Sequence, residues 1–552
     1  MTDQATRTRE PETLGFGAHQ ALAVVLPPRP GPHPTTVERL RSAMPADRLA
    51  GGLTTLVITA IAFTLRLINI AHPAYIVFDE TYYAKDAWSL MHFGYERNWA
   101  DNANAILKAG GVPVPQSTAE FIVHPPIGKL LIGIGELIFG MNSFGWRVAS
   151  LVFGTLLVLI TIRLVRRVSR STLIGGIAGV LLTFDGLAFV MSRIALLDVF
   201  LAFFAVAGVA CLAADRDWFR SRLADHIEAS GKADLAGSYG PLLLVRPWQL
   251  LGGLMFGLAL GSKWNAIYVI AAFCLLSLAW DFGARRTAGA SRAWLALIRD
   301  GVDKFVSIVV VSGIVYVLSW SGWFATSGGY DRQWGRDNST ALTTRLFGRA
   351  LASWLHYQRD IYNFHTGSYI DSQTHTYNAN PGGWLVIART IGIDAVNDIK
   401  PGTHGCPAGG EKCLSVISGI GTPLLWWGAV VALLVALLLW IGGRDWRFGI
   451  PVVGVASAWL PWFQYTARPL FYFYAIAIIP FSVMAVALCL GMLIGKYPRD
   501  PAGHRSRMIG TIIAGAFVAL VVLNFAYIYP ILTDEVLRYS HWLSRMWFRG
   551  WI

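Results

Sequence analysis

Long runs of apolar residues, separated by shorter polar segments, dominate the chain. A helix rises about 1.5 Å per residue, so a run of about 20 apolar residues spans the hydrocarbon core of a bilayer. The pattern predicts membrane-spanning helices at residues 52–71, 143–163, 171–191, 195–214, 303–320, 421–441, 447–465, 469–493 and 508–530. The first run begins too far along the chain for a cleaved signal peptide and is expected to be a retained anchor.

One further apolar stretch, 247–281, is too long for a single crossing. Its 35 residues would make a helix of about 52 Å, whereas the hydrocarbon core is about 30 Å thick. Two short crossings that turn at Gly261-Ser262-Lys263 fit better. The predicted total is then about eleven spans.

The distribution of basic residues supports this hairpin. With eleven spans and a cytoplasmic N-terminus, 26 of the 46 Lys and Arg residues fall in inside segments, most of them short. A single crossing at 247–281 would turn the following Arg-rich loop outward. We therefore predict an all-α polytopic membrane protein with a disordered cytoplasmic tail (1–51), a transmembrane domain (52–552) and two long outer loops (72–142 and 321–420).

Composition narrows the function. The chain is 54% hydrophobic and only 14% charged, whereas soluble domains carry about a quarter charged residues. Its net charge of +13 is explained by basic cytoplasmic loops, so no nucleic-acid partner is expected. The sequence has no glycine-rich phosphate loop and no dinucleotide fingerprint, so no nucleotide cofactor is expected either. Cys406 and Cys413 are able to form a disulfide if their loop faces an oxidising compartment.

The first outer loop carries an acidic pair, Asp79 and Glu80, in an aromatic setting close to the end of the first span. Carboxylates near a membrane span are costly to desolvate and are usually paired or functional. Burial raises a carboxyl pKa, which would make one of them a base for a hydroxyl proton. An ion pair that anchors the loop is an equally good interpretation. The short apolar stretch 127–139 in the same loop predicts an interfacial or re-entrant helix.

Four basic residues, Arg66, Arg147, Lys263 and Arg468, lie at predicted outer ends or interiors of spans. Each alone is explained by a side chain that snorkels to the interface. Several on one face together with a carboxylate pair favour an anionic lipid headgroup, since Arg binds phosphate in a bidentate manner. A further pair, Arg193 and Asp198, is expected to be joined across a tight turn.

Aromatic and histidine residues accumulate in the outer loops, among them His124, Trp354, His365 and Trp384. Such side chains suit the binding of a sugar or a peptide, and they also suit a loop that lies on lipid headgroups. Metal binding by His356, His365 and His375 is not expected, because their spacing is not that of a metal site.

Five segments in order resemble the protein O-mannosyltransferases of the C-type glycosyltransferase class, specifically their bacterial branch. The segments are FDETYYAKDAWS (78–89), HPPIGK (124–129), FGWRVASLVFG (144–154), SRIALLDVFLAFF (192–204) and LALGSKWNAIY (258–268). Weaker similarity is found at NFHTG (363–367) and RPLFYFY (468–474), where family members often carry a His in place of one aromatic residue.

The resemblance implies transfer of mannose from a polyprenyl-phosphate-mannose donor to Ser or Thr hydroxyls of secreted proteins, with inversion. It implies Asp79 as the base, supported by Glu80, at the outer face of the plasma membrane. Donor phosphate would be bound by Arg147, Lys263 and Arg468, and next by Arg66. His124, Trp354, His365 and Trp384 would contact sugar or acceptor. Membrane lipids and the export machinery are the further partners expected, and no metal ligand is assigned.

Two other functions remain open from the residues. A related transferase that acts on a lipid or cell-wall glycan would share all donor-side motifs. A transporter of lipid-linked sugars would instead show paired repeats and ionisable groups near the membrane midplane. Here the charges cluster at one face and no internal repeat is found, which disfavours transport.

Overall fold

The computed structural model describes residues 35–243, 245–495 and 501–552. The helices of the first half are α1 (Thr36–Leu40), α2 (Arg48–Leu67), α3 (Glu80–Phe93), α4 (Ala103–Lys108), α5 (Ile127–Phe139), α6 (Ser143–Ser169), α7 (Thr172–Thr183), α8 (Gly186–Met191), α9 (Asp198–Ser230) and α10 (Pro247–Leu260). Those of the second half are α11 (Ala266–Thr287), α12 (Ala293–Lys304), α13 (Val311–Ser319), α14 (Ser321–Ala325), α15 (Trp334–Asp337), α16 (Leu342–Thr366), α17 (Ser368–Asp371), α18 (Pro423–Ile441), α19 (Trp446–Trp459), α20 (Ile479–Ile494), α21 (Pro501–Ile528) and α22 (Tyr539–Leu543).

Seven of the helices in the described residues are long and apolar enough to cross a membrane. They are α2, α6, α9, α11, α18, α21 and the continuous helix Ala293–Ser319, in which a π-helical turn joins α12 to α13. Three more apolar helices, α7, α10 and α20, stand where spans are predicted but have fewer residues. The chain is a multi-pass membrane protein, and the total of eleven spans stays a prediction.

The break predicted within 247–281 is present, because α10 ends at Leu260 and α11 begins at Ala266. The two helices run in opposite directions. Arg246, which precedes α10, binds Asp281 near the end of α11 with an Nη1–Oδ2 distance of 2.6 Å. Lys263, in the connection, binds Asp198 at the start of α9 at 2.8 Å. Asp198 and Lys263 therefore mark one end of the bundle, the site end, and Arg246 and Asp281 mark the far end.

Helices pack closely where small residues meet. A Cβ at Gly253 of α10 would lie 2.1 Å from the carbonyl oxygen of Ser307, so only glycine permits this approach. Such contacts are typical of membrane helices, which associate through close packing. This contact aligns α10 with the helix that continues to Tyr316 at the site end.

Two small antiparallel sheets, which the all-α prediction did not include, lie in the predicted outer loops and the C-terminal segment. One pairs β1 (Arg97–Trp99) with β2 (Pro115–Ala119). The other has the order β3 (Ile391–Ile399), β4 (Cys413–Gly419), β5 (Leu537–Arg538). Tyr75 donates a hydrogen bond to Asp394 at 2.7 Å, which ties the first loop to the second sheet. Cys406 and Cys413 are joined by a disulfide beside that sheet.

The predicted disordered tail is too long at its C-terminal end. Thr35 and Glu38 form a capping box that starts α1. Arg41, just after α1, binds Asp225 and Glu228 of α9 at 2.7 Å each. The first membrane helix already begins at Arg48. Residues 1–34 of the predicted tail lie outside the described residues.

Candidate active site

Asp79 stands directly before α3 at the site end. An Asp at this position normally accepts a hydrogen bond from the first turn of the helix, yet the Asp79 side chain does not cap α3. The preceding residue, Phe78, has a positive φ of 47°, which is unfavourable for a side chain of this size. Its ring packs edge-on against Phe471 and Phe473 at centroid distances of 6.3 and 5.7 Å. Tertiary packing therefore fixes the backbone from which Asp79 projects.

Glu80 is fully buried and forms a bidentate ion pair with Arg147 of α6. The Arg147 Nε and Nη2 atoms lie 2.8 and 2.9 Å from the two Glu80 oxygens. Glu80 also accepts hydrogen bonds from the backbone N–H groups of Val77 and Ala195 at 3.1 and 3.0 Å. Glu80 thus joins the first loop to α6 and to the segment before α9.

Arg147 uses its remaining donors on the same loop. Its Nη1 donates to the carbonyl oxygens of Ile70 and Pro73 at 3.1 and 2.8 Å, and its Nη2 donates to that of Tyr75 at 3.0 Å. The side chain is 1% exposed. All three guanidinium nitrogens donate hydrogen bonds within the protein. Arg147 therefore holds the Asp79–Glu80 loop in position.

The carboxylate of Asp79 is largely buried, and no described side chain donates a hydrogen bond to it. Burial raises the pKa of Asp79 to about 6, the Lys263 ammonium opposes this rise and the Asp198 carboxylate adds to it. At pH 7 such a group is mostly ionised but holds a proton far more tightly than an ordinary Asp. This is the property expected of a general base near neutral pH.

A cavity of about 630 Å³ opens at the site end. Its aromatic walls are Trp264, Tyr268, Tyr316, Trp354, Tyr362, Trp462, Tyr465 and Tyr474. The polar residues among its lining are His124, Lys263, Asn265, Gln358, His365, Thr366 and Arg468. Small-molecule sites in proteins are of this size and are mostly apolar with a few polar groups.

Lys263 and Arg468 are the two cations of the cavity wall. The Lys263 Nζ lies 3.0 and 2.8 Å from the Asp198 oxygens, and it sits over the rings of Phe473 and Tyr474. The Nη1 of Arg468 lies 3.2 Å from the Nδ1 of His365, while its Nε is buried without a hydrogen-bond partner in the described residues. Arg468 therefore keeps more capacity for a ligand than Lys263 does.

His124 and His365 stack with ring centroids 5.4 Å apart. The Nε2 of His365 lies 2.9 Å from the carbonyl oxygen of Val123, so this nitrogen carries the proton and Nδ1 accepts from Arg468. Burial lowers the pKa of His365 to about 4 and that of His124 well below its usual range, with Lys263 and Arg468 acting in the same direction. Both rings are neutral at physiological pH and offer hydrogen bonds without charge.

Lys263, Arg468, His124, His365 and Trp354 line this cavity. Asp79 is not among the described residues that line it, but it lies close enough to the lining residues Lys263 and Tyr474 to interact with them electrostatically. Trp384 lies one layer behind, where it packs against Trp462 and Tyr474 of the wall and donates to the carbonyl oxygen of Ala379.

Arg66 does not line the cavity. Its guanidinium is fully buried and donates to the carbonyl oxygens of Ala62, Leu182 and Thr183.

The expected pair of Arg193 with Asp198 is wrong, because Arg193 donates to the carbonyl oxygens that follow α2 while Asp198 binds Lys263. The structure also contains a hydrogen-bond chain that sequence reasoning missed. Trp264 Nε1 donates to the Tyr316 hydroxyl at 2.8 Å, and that hydroxyl donates to Gln358. Of the three residues, only Trp264 lies in one of the five segments that carry the family resemblance.

Two family models match the chain. One, described as dolichyl-phosphate-mannose-protein mannosyltransferase, matches residues 56–222. The other, described as the C-terminal four TMM region of protein-O-mannosyltransferase, matches residues 350–551. A polyprenol-phosphate-mannose–protein mannosyltransferase of Mycobacterium tuberculosis is 36% identical over 518 residues, covering 92% of this chain and 93% of that protein. The chain belongs to the protein O-mannosyltransferase family.

Other relatives agree with this assignment. A protein of the same description from Corynebacterium glutamicum is 32% identical over 480 residues, covering 86% of this chain and 88% of that protein. The Saccharomyces cerevisiae protein O-mannosyltransferase Pmt1-Pmt2 complex bound to the sugar donor has the same fold, with a TM-score of 0.66, 12% identity and 94% of each chain covered. The predicted C-type glycosyltransferase fold is thus confirmed, and this protein O-mannosyltransferase is an enzyme of the glycosyltransferase class.

Proposed function

We propose that the enzyme transfers mannose from a polyprenyl-phosphate-mannose donor to Ser or Thr hydroxyls of exported proteins. The names of its relatives support the donor and the protein acceptor. The observation that carries the proposal is that Asp79, a carboxylate with no hydrogen-bond donor among the described side chains and a raised pKa, interacts electrostatically with Lys263, a cation that lines an aromatic cavity. The proposed base, the cations proposed to bind phosphate and a cavity large enough for a sugar are then all found at the site end.

Asp79 acts as the general base in this mechanism. Its carboxylate takes the proton from the Ser or Thr hydroxyl as that oxygen attacks the anomeric carbon of mannose. The bond from the anomeric carbon to the phosphate oxygen breaks, and polyprenyl phosphate leaves with the electron pair. Attack from the face opposite the leaving group inverts the anomeric configuration. Glu80 acts through the loop, because its oxygens are committed to Arg147 and to backbone N–H groups.

Arg468 and Lys263 stabilise the leaving phosphate. Charge that develops on the leaving oxygen is stabilised best by preorganised cations in a site that excludes water. Arg468 has an unused Nε, and Lys263 is held in place by Asp198. We assign Arg147 to positioning rather than to phosphate binding, since its donors are all used within the protein. Arg66, with its backbone partners inside the bundle, is given no role at the donor.

His124, His365 and Trp354 are proposed to contact the sugar or the acceptor peptide. The two neutral imidazoles present hydrogen-bonding atoms beside Arg468, and the indole of Trp354 offers an apolar face at the cavity wall. Trp384 is proposed to support this wall from behind. Selectivity for sugar hydroxyls requires such fixed polar groups, because unpaired buried groups penalise the wrong ligand.

The site is proposed to face the outside of the plasma membrane, with the N-terminus in the cytoplasm. The far end carries most of the basic loop residues, as expected for a cytoplasmic face. The Cys406–Cys413 disulfide lies with the site-end loops, and disulfides persist in oxidising compartments. The prenyl tail of the donor would remain among membrane lipids, and acceptors would arrive from the export machinery.

The test uses membranes with radiolabelled polyprenyl-phosphate-mannose and a peptide rich in Ser and Thr. Asp79→Asn keeps the size of the side chain and removes the base, so label transfer is expected to fall about 10²–10⁴-fold. Asp101→Asn, at an exposed position in the same loop, serves as the matched control and retains transfer. Transfer by Asp79→Asn at the rate of this control would refute the base. Label found in lipid or glycan and never in peptide would refute the acceptor.

A further inference from the structure

Asp331, His356 and Asp360 form a cluster on the side of α16 that faces away from the cavity. One donor atom from each residue lies within 4.8 Å of the others. His356 and Asp360 are one helical turn apart on α16, and Asp331 comes from the loop before α15. The cavity-lining residues of α16, such as Trp354 and Gln358, occupy the opposite face, as the period of 3.6 residues requires. The cluster is therefore separate from the proposed active site.

The two distances from His356 to the carboxylates are longer than those of good hydrogen bonds. The Nε2 of His356 lies 3.6 Å from Asp331 Oδ2 and 3.4 Å from Asp360 Oδ2. A good N–H···O hydrogen bond has a donor–acceptor distance of 2.7–3.2 Å. Ligands at about 2.0–2.1 Å from a tetrahedral zinc ion lie about 3.3–3.5 Å from each other. The two distances from the His356 nitrogen are thus close to those between ligands of one ion.

The two carboxylates of the cluster also favour the binding of a cation. No Lys or Arg in the described part of the chain forms an ion pair with Asp331 or Asp360. Other acidic residues at this end have such partners, for example Glu80 with Arg147 and Asp198 with Lys263. Among the described residues, the imidazole of His356 is the only basic group within ion-pair distance of the two carboxylates.

The imidazole of His356 is held in a fixed orientation without a bound ion. Its ring stacks on the indole of Trp334 at 4.3 Å with an interplanar angle of 14°. This stacking holds Nε2 toward the two carboxylates at little entropic cost, as supporting groups do in known metal sites. The three side chains remain 27–33% exposed, which leaves a path for an ion and a position for a water ligand.

We propose that Asp331, His356 and Asp360 bind a divalent transition-metal ion, with Zn²⁺ the best fit. One imidazole nitrogen and two carboxylate oxygens suit Zn²⁺, whereas Mg²⁺ and Ca²⁺ prefer oxygen ligands alone. The three histidines considered together from sequence do not form this site, because His365 bonds to the carbonyl of Val123 and His375 packs against Phe471. The site goes beyond the proposed function and does not depend on it.

The bound ion would fasten the 326–338 loop to α16. Tyr330 and Tyr357, the sequence neighbours of Asp331 and His356, pack together at 5.2 Å. The hydroxyl of Tyr357 lies 3.0 Å from the N–H of Ile122, two residues before His124. The ion would therefore stabilise the loop–helix layer on which the cavity is built, without contacting the reacting groups.

The test measures metal binding directly. The full-length protein, purified in detergent through a tag without histidine, is stripped with EDTA and titrated with ZnCl₂ and, in a second arm, MnCl₂. Bound metal is measured by mass spectrometry after gel filtration, and the melting temperature is followed by Trp fluorescence. One Zn²⁺ per chain and a rise in melting temperature are expected. Asp360→Asn and His356→Gln should each weaken binding at least about tenfold.

Asp337→Asn is the matched control, since Asp337 is an exposed carboxylate nearby that pairs with Arg336. It should bind Zn²⁺ like the unaltered chain. Zn²⁺ binding that survives both ligand substitutions would overturn the proposal, as would a melting temperature of the unaltered chain that responds to neither EDTA nor Zn²⁺. If one of the two ligand variants does not fold, Zn²⁺ binding by the other variant and the melting temperature of the unaltered chain still test the proposal.

Discussion

Both ends of the helix bundle contain buried charges, and the cluster around Arg246 at the far end differs from Asp79 and Arg468 at the site end. At the far end Arg246 binds Asp215 and Asp281, and Lys304 binds Asp281 at 3.0 Å. Every one of these side chains is at most 2% exposed. At the site end Asp79 has no donor and Arg468 keeps an unpaired Nε in the described structure.

This difference separates the structural charges from those that are proposed to take part in the reaction. A buried ion pair with all its hydrogen bonds made is stable and inert, because any change leaves an uncompensated charge. Charges left without partners cost free energy, and such strain is typical of sites that bind a ligand. The Glu80–Arg147 pair belongs to the first kind although it lies beside Asp79.

The largest expected effect comes from breaking a saturated pair at either end. Arg147→Met and Arg246→Met should each lower the free energy of unfolding by about 3–5 kcal/mol, because a carboxylate is left buried alone. Arg147→Met should also reduce turnover per folded molecule, since it releases the Asp79 loop, whereas Arg246→Met should not. Thermal melts and transfer assays on folded fractions measure both. Equal turnover per folded molecule for the two variants would show that Arg147 has no greater influence on the site than Arg246.

A reactive charge should behave in the opposite way. The folded-state pKa of Asp79, about 6, lies above the ordinary Asp value of 3.8, so the folded protein prefers the protonated form. The ionised carboxylate therefore weakens the fold as pH rises through about 6. Asp79→Asn should therefore stabilise the protein at pH 8, by about 1–3 kcal/mol, and have little effect at pH 4. Melting temperatures of both proteins across this range give the test. A loss of stability at pH 8 would contradict it.

Substitution of Arg468 tests the role of the cation whose Nε has no partner in the described structure. Arg468→Gln removes the charge from the cavity wall, and we expect a loss of about 1.5–3 kcal/mol in donor-dependent transfer, as for a hydrogen bond to a charged group. The effect should appear in the response to donor concentration. Arg389→Gln, which removes an arginine bonded to backbone carbonyls near the C-terminus, is the control. An unchanged donor response would remove Arg468 from the phosphate site.

The smallest expected effect is the pH dependence of the unaltered enzyme. The ionised fraction of a base with a pKa of about 6 falls roughly tenfold between pH 7 and pH 5. Initial transfer rates at saturating donor should fall by about the same factor and recover when the pH is restored. A rate that is flat across this range would mean that Asp79 is not the titrating base.

Features that depend on local sequence were predicted well. The short apolar stretch 127–139 forms α5 with bounds Ile127–Phe139, and the break near Gly261 follows from the length of an apolar run. The number of predicted spans also predicts that Asp79, Lys263 and Arg468 lie at the same end of the bundle. Apolar length and charge bias are strong signals because the bilayer imposes both.

Features that depend on distant partners were not predicted. The sequence predicts that Asp198 pairs with its neighbour Arg193, whereas its partner in the structure is Lys263, which belongs to another helix connection. The roles of Glu80 and Arg147 could not be separated, because the saturation of Arg147 comes from carbonyl groups of the first loop. The strands β3 and β4 were missed because short alternating patterns inside a long loop resemble irregular segments.

The contact of Phe78 with Phe471 and Phe473 has a consequence for the order in which the protein matures. The acidic loop is made early in translation, but the rings that hold its backbone emerge only when most of the chain has been synthesised. Contacts between such distant segments form late in folding. Asp79 would therefore reach its working position only after the later helices are inserted, and a ribosome-bound nascent chain would carry the motif without being active.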